Sequence, residues 1–399
     1  MPETHAPAVE NAVAAMTAEL TAWRRDLHAY PELGYHETRT AARVAEKLRS
    51  FGLDAVETGI GGTGVVGVLH GAGGPGGEDR TILLRADMDA LPIAEATGAP
   101  HASTKTGVMH ACGHDGHTTM LLGAARRLAE TRNFDGTVIF CFQPAEEGGA
   151  GAEAMLKDGL LETFPARAVY GMHNRPGLPV GAFELRAGPV MAMADEFEIE
   201  ITGLGGHAAK PDLCRDPIVA GAALVHALQT VVSRRIDPVE PAVISVTTFH
   251  AGDTHNVIPA GATLGGTLRT FSEAVHAQAR AEIAALCERI GAAYGVEVVY
   301  RPSESVYPPL INDATEAAFC GAVLDGLAGS DRVTHDCAPV MGGEDFAFLA
   351  KARPGAFVFI GSGDIAPLHH PAYDFNDAAL PWGVAYWTRL AETALPRAR

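Results

Sequence analysis

Four short apolar runs, at 81–86, 137–142, 168–171 and 356–360, are each followed closely by side chains that bind metals or move protons. Asp87-Met88-Asp89 follows the first, and Gln143-Pro144-Ala145-Glu146-Glu147 the second. Met172-His173-Asn174 follows the third, and Leu368-His369-His370-Pro371 lies downstream of the fourth. The runs are continuously apolar, as in strands buried on both faces of a parallel sheet, and helix-like stretches separate them. Strands alternating with helices predict an α/β layer with a mainly parallel sheet. Such sheets bind their ligands beyond the carboxyl ends of the strands, where these polar residues fall.

The densest polar stretch is H-A-C-G-H-D-G-H at 110–117. Cys112 and His114 flank Gly113, so a thiolate and an imidazole can reach one cation from a turn. Residues 118–130 read as a helix, which places this stretch at a helix N-terminus, where the dipole favours Cys112 as thiolate. Cys112, His114, Glu146, Glu147, His173 and His369 together outnumber the ligands of one tetrahedral zinc and suit two neighbouring ions. Adjacent glutamates permit a division of labour, one binding metal while the other accepts a proton from water. Taken singly, each has a plainer reading: a Glu pair as solvated surface, a strand-end His as structural. The combination carries the argument. His110, His117 and His370 are expected to support the ligands or face solvent.

At 399 residues the chain has room for two or three domains. Near residue 190 the pattern changes to alternating strands, and the order over 191–303 is β-α-β-β-α-β, a ferredoxin-like α+β arrangement. The economical division is a metal-binding domain of 1–190 and 304–399 with 191–303 inserted into it. A net charge of −18 argues against nucleic acid or an anionic membrane as partner. The six cysteines are scattered, residues 1–10 lack a signal-peptide pattern, and no apolar run approaches the ~18 residues of a membrane span. A cytoplasmic location is expected.

The motifs R-A-D-M-D-A-L-P (85–92), M-H-A-C-G-H-D-G-H (109–117), Q-P-A-E-E (143–147), G-G-H-A-A-x-P (205–211), N-V-I-P (256–259), G-G-E-D-F (342–346) and L-H-H-P (368–371) occur in this order. In them the chain resembles the metal-dependent amidohydrolases that include hippurate hydrolases, aminoacylases and indole-acetyl-amino-acid hydrolases, relatives of carboxypeptidase G-type peptidases. The resemblance implies Cys112, His114, Glu147, His173 and His369 as metal ligands, Glu146 as general base and Asp89 as a carboxylate orienting a ligand. Chemistry alone does not choose between His369 and His370; the register of L-H-H-P selects His369. The resemblance also implies a lid and dimerisation role for 191–303, a homodimer or dimer of dimers, His207 as hydrogen-bond donor to the oxyanion, and Asn256 and Arg269 as substrate contacts. One departure is Asp212 after Pro211, where relatives commonly have His.

The expected activity is hydrolysis of N-acyl amino acids with two divalent ions, manganese or zinc, with nickel and cobalt as alternatives. A dedicated deacetylase of one biosynthetic intermediate, such as N-acetyl-diaminopimelate, and a dipeptidase are rivals within the same chemistry. A non-catalytic metal-binding homologue is the rival from another class.

Overall fold

A computed structural model describes residues 11–398 of the chain. Residues 1–10, noted above for lacking a signal-peptide pattern, lie outside the described residues. The chain opens with two helices, α1 (Asn11–Ala14) and α2 (Thr17–Ala29). The Thr17 hydroxyl donates to the Ala14 carbonyl at 2.8 Å and so satisfies the end of the first turn locally. In α3 (Thr38–Ser50), the Glu32 carboxylate accepts the Arg39 and Thr40 amides at 3.1 and 2.8 Å and caps the helix.

Strands β1 (Ala55–Ile60), β2 (Gly64–His70) and β3 (Thr81–Asp87) lead to α4 (His114–Thr131). Then come β4 (Thr137–Gln143), α5 (Gly151–Lys157), β5 (Ala168–Arg175) and β6 (Phe183–Glu184). The next stretch holds β7 (Met193–Thr202), α6 (Pro217–Arg234), β8 (Ala242–Ala251), β9 (Gly261–Thr270), α7 (Glu273–Tyr294) and β10 (Glu297–Pro302). The chain closes with α8 (Ala314–Ala328), β11 (Val333–Thr334), α9 (Phe346–Ala352), β12 (Gly355–Gly361) and α10 (Leu380–Ala394).

Two compact units result: Met1–Val190 with Ile311–Ala338 and Asp345–Arg399, and Met191–Leu310 with Pro339–Glu344. The second division thus falls after Leu310 rather than after 303, and G-G-E-D-F is split between Glu344 and Asp345. The first unit is built on one sheet of order β1-β2-β4-β3-β5-β12-β6-β11. Its centre, β4-β3-β5-β12, is parallel, and the β1-β2-β4 edge is antiparallel. Strands β3, β4 and β12 are buried along their whole length, which is why they read as unbroken apolar runs. The core includes Leu84, Phe140, Tyr170, Met120 and Trp387.

The second unit has sheet order β8-β9-β7-β10, antiparallel throughout, the ferredoxin-like pattern read from the sequence. Along β7 the Glu196, Glu198 and Glu200 side chains are exposed while Phe197, Ile199 and Ile201 are buried with Leu224, Leu264 and Ile283. No helix among the described residues is long and apolar enough to cross a membrane.

Candidate metal centre

The residues of the first unit singled out from the sequence lie near the carboxyl end of a strand of the large sheet, in a loop that follows one, or, for His114 and His117, in the first turn of α4. In the extended run from Arg85 through Asp87 to Asp89, alternate side chains point the same way. Asp89 then grips two segments. Its carbonyl and Oδ1 lie 2.9 and 3.1 Å from His114 Nδ1, and its Oδ2 accepts the Glu147 amide at 2.9 Å. With Nδ1 facing two oxygens, the His114 proton sits there and the Nε2 lone pair is presented on the other side. That Nε2 is buried with no hydrogen-bond partner.

Helix α4 begins at His114 rather than at 118, so the cluster forms its first turn. Gly113 makes this possible with φ +96°, and a Cβ there would lie 2.2 Å from Asn174 Oδ1 and 2.6 Å from the Tyr373 hydroxyl. One turn on, His117 is consumed: Nδ1 lies 2.7 Å from Asp87 Oδ1, and Nε2 accepts the Asn174 amide at 3.1 Å. His173 does not follow its strand as the sequence suggested. Pairing of Phe359 with His173 and of Gly361 with Arg175 carries β5 through it. Its Nδ1–H donates to the Asn174 carbonyl at 2.8 Å, which leaves Nε2 3.3 Å from Cys112 Sγ.

Residues 145–150 carry the two glutamates in an irregular turn. Ala145, Gly148 and Ala150 have left-handed φ of 49°, 81° and 53°. For an L residue that conformation costs about 1–2 kcal/mol, so neighbouring groups must hold it. Glu146 is buried. His369, also left-handed at φ 62°, is tethered by its amide to the Ala111 carbonyl at 2.8 Å and reaches Glu147 Oε1 at 3.2 Å. Sets of ligand atoms that fall within 4.8 Å of one another include Cys112, His114 and His173; Cys112, Glu147 and His369; and His114, Glu146 and Glu147.

The protein's own charges leave this centre strongly anionic. Burial pulls His114 down, but the Asp87 and Asp89 carboxylates outweigh it and carry it to about 10. Burial, reinforced by the Glu147 and Glu146 carboxylates, pushes the Cys112 thiol well above its usual range. Whatever help the helix N-terminus gives, the Cys112 thiolate needs a cation beside it. Burial also holds His173 well below the ordinary histidine value, in the neutral form that binds metals.

Against this geometry the comparisons with known proteins are decisive. The profile of peptidase family M20/M25/M40 matches residues 83–393. The chain belongs to that family. Hippurate hydrolase of Campylobacter jejuni is 42% identical over 92% of this chain and 94% of its own length. N-acetyl-L-cysteine deacetylase of Bacillus subtilis is 41% identical over 92% of this chain and 86% of its own. IAA-amino acid hydrolase ILR1-like 2 of Arabidopsis thaliana is 39% identical, over 92% and 83%. Among solved structures, the Bacillus subtilis YXEP protein, described as a dinuclear metal-binding peptidase from the M20 family, has a TM-score of 0.81 at 35% identity and covers 96% of this chain and 99% of that one.

Two divalent cations fit the M20-family chain at this place. The donor set mixes one sulfur, three imidazoles and carboxylates; the excess of carboxylates calls for positive charge, and His114 Nε2, buried without a hydrogen bond, is a ligand atom once its ring is neutral. Asp87 escaped the sequence reading as a member of the site, although it stands within ligand distance of His114 and His117. Its spacing of two from Asp89 was the available signal. Asn174 and Tyr373, which back His117, carried none.

The remaining candidates lie on the second unit. His207 is exposed and pairs with Val257 in a two-residue ladder, and the Ala208 amide donates to the Asn256 carbonyl at 3.1 Å. His207 Nδ1 accepts the Ala209 amide at 3.0 Å, so the neutral ring carries its proton on Nε2, free to donate. Asn256 is exposed, its Oδ1 accepting from Thr254. Arg269 is half-buried, with Nη1 donating to the Asp195 carbonyl at 3.2 Å, and burial lowers its pKa from the usual arginine value. Asp212 is exposed in the short turn Pro211–Leu213.

Proposed function

We propose that the chain hydrolyses the amide of N-acyl L-amino acids, releasing a carboxylic acid and the free amino acid. The observation that carries this reading is the buried Glu146 beside His114 and Glu147, within ligand distance of both. Cys112, His114, Glu147, His173 and His369 would hold two divalent cations, manganese or zinc, with nickel and cobalt as alternatives. When bound, such ions polarise the scissile carbonyl and bring the acidity of a water toward neutrality.

Glu146 takes a proton from the attacking water and returns it to the amide nitrogen as the carbon–nitrogen bond breaks. Asp89 fixes the His114 tautomer and, through the Glu147 amide, the carboxylate beside the base. We assign His207 Nε2–H to the oxyanion, and Asn256 and the Arg269 fork to the substrate, the latter matching a free α-carboxylate. Residues 191–303 would act as lid and dimerisation domain of a homodimer or dimer of dimers; the outer edge of β8, with Phe249 exposed, supports an assembly surface. All six cysteines are free, which suits a reducing cytoplasm.

The relatives named above differ in the acyl group they are named for, so the test is a panel on metal-reconstituted protein. N-benzoylglycine, N-acetylcysteine, N-acetylmethionine and N-acetyl-diaminopimelate should be compared with a dipeptide. Turnover of several N-acyl amino acids is expected. Turnover of N-acetyl-diaminopimelate alone, or of the dipeptide alone, would replace the reading with its rival. Glu146→Gln should retain metal and lose about 10²–10⁴-fold in kcat, the usual worth of a general base.

A further inference from the structure

Hydrogen bonds from outside hold the turn that carries Glu146 and the helix that follows it. Glu37 Oε1 accepts the Ala145 amide at 2.8 Å, and Asp89 Oδ2 accepts the Glu147 amide at 2.9 Å. The Tyr35 hydroxyl donates to the Gly149 carbonyl at 2.5 Å, and Asp345 Oδ2 accepts the Ala152 amide at 2.9 Å. Two of these partners come from one short stretch, 35–37, whose role is not explained by its own helix. The first amides of α3 are already taken by Glu32, so Glu37, fully buried at the start of that helix, is not its cap. Its carboxylate faces the other way, toward Ala145 and the Thr63 hydroxyl, which donates to Oε2 at 2.5 Å.

Packing points the same way. A Cβ on Gly34 would lie 3.0 Å from the Ala145 Cβ, and one on Gly149 would lie 3.0 Å from the Tyr35 ring. Tyr35 itself has φ 63°, rare for a bulky aromatic, so strain sits on both faces of this contact. Strained backbone of this kind persists only where its surroundings over-determine it.

We propose that Glu37, supported by Tyr35, is a positioning residue for hydrolysis: by holding the Ala145 amide it fixes the left-handed turn from which Glu146 projects. This rests on the reading of Glu146 as the base. An alanine released from that bond relaxes toward right-handed backbone angles, and the following residue's Cα–Cβ direction swings with it. A base displaced by about 1 Å loses rate while substrate binding is spared, so the effect belongs in kcat rather than KM.

Two substitutions of similar size separate hydrogen bonding from packing. Glu37→Gln keeps an acceptor for Ala145, and its amide can donate to the Thr63 oxygen. Glu37→Met fills the space without either. Glu37→Met is expected to lower kcat by about 10–100-fold with KM within about twofold, while Glu37→Gln keeps most of kcat. Hydrogen exchange at the amides of 145–149 should quicken in Glu37→Met and not in Glu37→Gln, with or without metal. Wild-type kcat in a folded Glu37→Met, a change confined to KM, or equal losses in both variants would each overturn the proposal. If Glu37→Met does not fold, Tyr35→Phe decides: a several-fold lower kcat with faster exchange at Gly149 supports it, and wild-type behaviour overturns it. Glu146→Gln run alongside tells the two failures apart, because an active Glu146→Gln removes the base assignment itself.

Discussion

Gly113 and Asp89 show how little freedom single residues have around the centre. At Gly113 an added methyl would meet both Asn174 Oδ1 and the Tyr373 hydroxyl, at a backbone angle that L residues avoid. Both of those neighbours are already engaged, the Asn174 side chain donating to Tyr373 at 2.8 Å, so neither yields cheaply. Gly113→Ala is expected to cost about 2–4 kcal/mol, from overpacking and left-handed strain together. It should also release metal, since Cys112 and His114 flank it directly. Denaturant midpoints and metal content per chain check both. Asp89→Asn is a gentler probe. The amide keeps one oxygen, enough for His114 or for the Glu147 amide, but its nitrogen then faces the donor left over. Metal affinity should fall about 10–100-fold, measured by competition against a chelator. Wild-type affinity would remove Asp89 from its orienting role.

Between elements, the tie that matters most for the centre joins α2 to α4. His28 Nδ1 lies 2.9 Å from Asp115 Oδ2, and Arg24 links Asp115 to Asp374 and Asp377 at 3.5, 2.7 and 2.8 Å. Burial lowers the His28 pKa, but the Asp115 and Glu95 carboxylates outweigh it and raise it to about 9, above the ordinary 6.5. A raised histidine contributes stability that is complete below pH 6.5 and is lost as pH climbs through about 9. Metal-free protein should therefore lose Tm across that window, and His28→Gln should flatten the loss; equal slopes in both would dismiss the pairing. This network was invisible in the sequence, because nothing local marks Asp115 as the partner of a histidine far upstream. The strands were legible, since burial on both faces writes itself as an unbroken apolar run, and so was the cluster at 110–117 as a source of ligand atoms, which the structure brings near Glu147. His173 was placed past its strand because a polar residue ordinarily ends an apolar run, whereas β12 supplies ladder partners through Arg175. The turn at 145–150 was equally hidden: two alanines give no sign of left-handed backbone, which is imposed by Glu37, Asp89 and Tyr35 from elsewhere.

The two units have separate cores among the described residues: Leu84, Phe140 and Trp387 belong to one, Phe197, Leu224 and Ile283 to the other. Every residue assigned to metal lies in the first unit, together with Asp87, Asp89 and Glu146, each of whose carboxylates stands within 4.8 Å of a His114 ring nitrogen. Cations that bind only the folded form stabilise by mass action, about 2.7 kcal/mol at a hundred times Kd. Removing them also exposes the carboxylates to one another. Chelation should therefore act unevenly along the chain, because the βαββαβ unit holds none of the assigned ligands and keeps its own apolar core and its Asp195–His276–Arg280 ion pairs. Hydrogen exchange of the full chain, with and without EDTA, reads this directly. Protection should fall in β3, α4 and β5, whose ends bear the ligands, and stay constant in β7–β10. A parallel loss in both sets would mean that the two units unfold as one cooperative body, and that the metal centre stabilises all of it.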